Sequence, residues 1–151
     1  MALFKMIHLL AALVWVGGMF FAYVVLRPTA AEVLQPPERL RLWDGIFRRF
    51  FNWVWLAIGL LLVTGFYMVY QYGGIAYVPR YVHIMLAMGL AMIAVYGYVF
   101  FSCYVPLSVH VSKQRWKEAG EQLGRIRKLV AVNLTLGLLT VSVAALGVAL
   151  A

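Results

Sequence analysis

The sequence predicts an all-α, polytopic membrane protein: a bundle of four transmembrane helices with both termini on the outer, periplasmic side. Three observations predict it. Of 151 residues, 65% are hydrophobic and only 12% charged, whereas soluble domains have about 45–50% and about 25%. Four apolar runs each reach the roughly 20 residues that a helix needs to cross a bilayer core. The cations cluster between those runs. This composition excludes an ordinary cytosolic domain and a disordered chain. One cysteine excludes a disulfide framework and a cysteine-rich metal or iron–sulfur site. The net charge of +8 follows from membrane topology and implies no nucleic acid.

The predicted helices cover 3–26, 51–70, 81–105 and 129–151, one membrane domain spanning the whole chain. The first run holds only Lys5 as a charge and the other three none. Backbone groups cannot go unpaired in hydrocarbon, so the runs are helices, and no stretch alternates as a barrel strand would. Breakers mark the ends: Arg27-Pro28 after the first, Gly73-Gly74 after the second, Pro106 after the third. Pro79 precedes the third, where a helix start tolerates proline. The first run is longer than a signal-peptide core, which favours a retained span over a cleaved leader.

Orientation follows from the cations. Eleven Lys and Arg residues lie in the first and third loops, against Lys5 and Arg80 elsewhere. Those loops are therefore expected inside a bacterial inner membrane. Leu40, Trp43, Phe47 and Phe50 recur at helical spacing among arginines, which predicts a short amphipathic helix lying on the inner leaflet. Trp116, Leu123 and Ile126 predict the same in the third loop. Lys5-Met-Ile-His8 and Arg80-Tyr-Val-His83 open the first and third helices alike, so each half reads as one hairpin of a weak internal repeat.

Ionisable residues inside a span suggest function. His8 and His83 are predicted at matching depth, roughly 6–9 Å below the outer face at 1.5 Å per residue. Each has a cation one turn above it. This pattern suits a b-type haem, with His8 and His83 as axial ligands and Lys5 and Arg80 on the propionates. Ala11, Ala12 and Ala87 leave room for the ring, and Trp15 walls it. A plainer reading has the histidines bonding across helices while the cations snorkel. His110 is expected to be a solvated loop residue, so a second haem is not expected. The competing ligand is copper, held by His8 and His83 with methionines, since Cu(I) favours imidazole and thioether. Met85, Met88 and Met92 form one stripe, Met1 and Met6 lie near His8, and Cys103 sits at the opposite end. No intramembrane carboxylate or phosphate-binding loop is present. Gly17-Gly18, Gly89 and Gly97 are read as close-packing sites, and Asn133 and Thr135 as bonding a neighbouring helix.

The run His8-Leu-Leu-Ala-Ala-Leu-Val-Trp15-Val-Gly17-Gly18, ending in Leu26-Arg27-Pro28, resembles the first helix of small copper-resistance D (CopD) proteins. The stretches His83-Ile-Met-Leu-Ala-Met-Gly89 and Ile126-Arg127-Lys128 through Asn133 to Gly137 extend the resemblance over most of the chain. It implies a four-helix inner-membrane protein tied to copper uptake or tolerance. Lys5-x-x-His8 followed by Trp15 and a glycine is also similar, more distantly, to the haem-containing HemJ protoporphyrinogen oxidases. That family's Tyr-His ending of the first helix reads Leu26-Arg27-Pro28 here, and its Asn-Glu-x-Pro signature is missing, so the oxidase activity is not carried over. Bacterial cytochrome b membrane proteins share the two-histidine logic. The leading expectation is therefore a membrane haem b redox protein, an oxidoreductase if it turns over a substrate. It would exchange electrons with a quinone or periplasmic partner, in the bilayer, as one chain or a homo-oligomer. Copper binding or transport is the alternative, and a structural subunit without cofactor the third.

Overall fold

The computed structural model describes residues 1–150, and the predicted end of the fourth helix at Ala151 lies outside them. Four long helices carry the chain: α1 (Ala2–Val33), α2 (Pro36–Gln71), α3 (Arg80–Ser112) and α4 (Trp116–Leu150). Each is long and apolar enough to cross a membrane, and no strand occurs among the described residues. This is a multi-pass, all-α membrane protein. Its outward surface is lipid-like, with Leu9, Leu13, Val63, Phe66, Phe101 and Leu146 exposed. The main contacts join α1 to α2 and α3 to α4, so the bundle is two hairpins. With four crossings, both termini lie at one end.

The helices run past the prolines that were expected to stop them. In a regular helix Pro28 would lack an N–H and its ring would meet the carbonyl four residues back. The chain answers with a wider turn. Residues Phe21–Leu26 are π-helical, and the Arg27 N–H bonds Ala22 O, five residues back. The same device recurs ahead of Pro106: Val99–Tyr104 is π-helical and the Val105 N–H bonds Phe100 O. In both halves the proline stands two residues after the π turn. The internal repeat is thus visible in backbone geometry as well as in sequence.

The predicted surface helices are corrected too. Leu40, Trp43 and Phe47 lie within α2 and are buried in the core, not on a leaflet. Trp116 and Ile126 likewise belong to α4, and Ile126 is buried. The apolar stripe that was read as membrane-facing packs against the other helices. There it joins a ladder of rings: Phe47 stacks on Phe51 at 5.0 Å, which meets Tyr96 at 5.4 Å and Tyr104 at 5.1 Å edge-on. The Tyr96 hydroxyl donates to Phe51 O at 3.2 Å. His110 is helical and half-buried, not a loop residue.

At the α2–α3 turn, Gly73 and Gly74 take φ of 91° and 113°, a backbone region that favours glycine. Of the glycines expected to pack closely, Gly18 does so against the Phe50 ring, whereas a Cβ on Gly17, Gly89 or Gly97 would meet nothing within 4 Å. Asn133 bonds α3 as expected, its Nδ2 donating to Met92 O at 3.3 Å. Thr135 instead donates to Ala131 O on its own helix. Gly137 also packs closely, where a Cβ would stand 2.9 Å from Val16 and 3.2 Å from Met92. Gly137→Leu is therefore expected to overpack the bundle and destabilise it by about 1–3 kcal/mol, seen as a lower thermal midpoint in detergent.

Candidate functional site

The four helices line a partly open cavity of about 150 Å³ near the end of the bundle that carries the termini. α1 brings His8, Ala12 and Trp15, α2 brings Leu61 and Gly65, α3 brings Met85 and Met92, and α4 brings Gly137 and Thr140. Among the described residues, no Asp or Glu lines it. Gly65 lets the imidazole lie against α2, because a Cβ there would stand 3.3 Å from His8 Cε1. Trp15 is buried and edge-on to Tyr96 at 6.1 Å.

Thr64, buried behind this wall, sets the chemistry of His8. Its Oγ1 is 2.6 Å from Leu60 O and 2.8 Å from His8 Nδ1. A carbonyl has no hydrogen to give, so the short contact to Leu60 takes the threonine's only hydroxyl proton. Thr64 must then accept from His8, which puts the imidazole proton on Nδ1. Nε2 keeps its lone pair. A polar partner that fixes the tautomer in this way is the usual support behind a metal-binding histidine.

Met92 is also uncommitted. The Thr140 hydroxyl donates to Leu136 O at 2.7 Å and stands 4.0 Å from the Met92 sulfur, so the shorter contact holds the proton. His8, Met85 and Met92 thus line one largely apolar space.

The remaining predicted site residues lie elsewhere. His83 is exposed on α3, with Nδ1 3.3 Å from Pro79 O on its own helix, and it does not line the cavity. Lys5, Arg80 and Ala87 are exposed as well. The face of α3 that meets the cavity is instead Val82, Met85, Leu86 and Gly89. The reason is helical phase. His8 stands 20 residues before Pro28, and His83 stands 23 before Pro106. Measured from the same proline and π turn, three extra residues rotate the side chain by about 300°, so like motifs land on unlike faces. The two histidines therefore do not line one cavity in this structure. The cavity, about 150 Å³, is also smaller than the roughly 300–1,000 Å³ of sites for drug-sized ligands. Met1, Met6, Met88 and Cys103 do not line it either.

Thr64 was not singled out from the sequence, although a lone threonine beside a glycine in an apolar span was the available signal. Removing its hydroxyl tests its part. Thr64→Val, which is nearly isosteric, leaves the Nδ1–H unpaired; a metal held at His8 would then bind about 10–100-fold more weakly, measured by competition with a chromogenic chelator.

The family comparison gives one match. The model described as CopD, copper resistance protein D, matches residues 44–147. The chain belongs to the CopD family. No curated protein matches it, and no solved structure does either. In this CopD protein the matched stretch contains Thr64, Met85, Met92 and Gly137, while His8 lies before it on α1.

Proposed function

We propose that this CopD-family protein is a copper-handling protein of the bacterial inner membrane and that its cargo is Cu(I), taken at His8, Met85 and Met92. One observation carries the reading. The His8 Nε2 lone pair, kept free because Nδ1–H is spent on Thr64, shares a cavity with two thioether sulfurs. Imidazole and thioether are soft, neutral donors that suit reduced copper. The site sits at the termini end, which the charge of the loops assigns to the periplasmic side, so the ion enters from there. Below it the helices close. The next space inward, bounded by Met19 and Asn133, is only about 30 Å³, which favours holding the ion over passing it freely.

The test is a titration of the purified protein with copper under reducing conditions, against a chromogenic Cu(I) chelator, with an optical spectrum of the same sample. One tightly held Cu(I) per chain and no haem absorption is the expected result. A Soret band with no competition for Cu(I) overturns the reading and returns the haem one, together with its quinone or periplasmic redox partner.

A further inference from the structure

A second cavity, of about 400 Å³, opens at the other end of the bundle, between α1, the start of α2 and α4. Three guanidinium groups line it, those of Arg27, Arg39 and Arg127, and no Asp or Glu does. Orientation in the membrane requires basic loops, but it does not require three arginines on one cavity. Arg27 is fixed in place. Its Nε donates to Tyr23 O at 3.2 Å and its guanidinium lies 4.5 Å from the Tyr23 ring centroid, which leaves its terminal amino groups uncommitted to that bond. Trp116, another lining residue, is held by Arg41 at 5.1 Å. Below the arginines the walls turn apolar, with Leu40, Trp43 and Phe47.

The space is kept open by two glycines one helical turn apart. Gly120 and Gly124 line the cavity, and a Cβ on either would meet nothing within 4 Å. The π turn of α1 borders the same space through Ala22 and Tyr23. Cations at the rim, an apolar interior and no internal counter-charge define one ligand chemistry. We propose that this cavity binds a phosphate-bearing anionic amphiphile, its phosphate on Arg27, Arg39 and Arg127 and its hydrocarbon against Leu40 and Phe47. Guanidinium groups match phosphate oxygens in pairs, and basic pockets between membrane helices take anionic head groups. The ligand is either a phospholipid of the surrounding leaflet or a soluble phosphate ester. The proposal is independent of the copper site.

Full-length protein, stripped of lipid in detergent, would be titrated with phosphatidylglycerol, phosphatidylcholine and inorganic phosphate, with adducts counted by native mass spectrometry. Phosphatidylglycerol is expected to bind at one site per chain, more tightly than phosphatidylcholine. Arg39→Gln and Arg127→Gln should each weaken it about fivefold, and Arg127→Lys should retain most of the binding. Gly124→Leu changes no charge and should abolish the adduct by filling the space; Arg39→Gln, at the rim, keeps the test valid should that variant not fold. Binding that inorganic phosphate does not displace identifies the leaflet lipid, whereas binding of phosphate with displacement identifies a soluble ester. Equal retention of both lipids, or arginine variants that bind as wild type, overturns the proposal.

Discussion

His8→Ala is expected to abolish Cu(I) binding, weakening it by more than about a hundredfold, because even loss of a ligand's supporting partner costs about 10–100-fold. The imidazole is the only nitrogen donor on the cavity, and two thioethers alone bind weakly at a dry site. His83→Ala is the matched control. Its ring is exposed and bonded to Pro79 O, so its removal should leave Cu(I) affinity unchanged. Chelator competition on the two variants decides the matter. Equal losses would mean that both histidines hold the metal and would restore the paired arrangement.

The largest loss of stability is expected at Phe51. It is 4% exposed and packs against Phe47, Tyr96, Phe100 and Tyr104 at 5.0, 5.4, 6.0 and 5.1 Å. Phe51→Ala removes the centre of that ring ladder, where α2 meets α3. In a soluble protein such a truncation costs about 3–5 kcal/mol. Lipid tails are as apolar as a protein core, so burial itself contributes little here and lost packing contacts remain. A cost of about 3 kcal/mol, at the low end of that range, is the expected result. Denaturant titration in mixed micelles measures it. A change below about 1 kcal/mol would show that the gap closes by collapse or by lipid entry.

Composition and charge made the four spans legible, since lipid constrains every residue of a crossing helix in the same way. Helix ends were less legible. Pro28 and Pro106 were read as stops because proline breaks a regular helix, whereas a π turn accommodates each of them. The ring-bearing stripe of Leu40, Trp43 and Phe47 had the right spacing but an ambiguous destination, because an amphipathic pattern does not say whether lipid or protein meets the apolar face. The same limit governed the site. Lys5-x-x-His8 and Arg80-x-x-His83 state spacing along each helix, but the rotation of one helix against another is set by packing. His8 and the Met85/Met92 stripe were visible; Thr64, which decides the tautomer, was not, because a neutral hydroxyl carries no signal until its partners are known.

The absence of any Asp or Glu on the upper cavity among the described residues has a consequence for which ions it would admit. A cation held there by neutral ligands carries its full charge into a low-dielectric interior. The Born self-energy of that charge grows with its square, so a divalent ion meets about four times the penalty of a monovalent one of similar size. Zinc and cupric ions, which by ordinary ligand affinity rank high among divalent metals, are thereby disfavoured without any contact that recognises them. On the proposed copper reading, the missing counter-charge would act as a valence filter that favours the reduced ion.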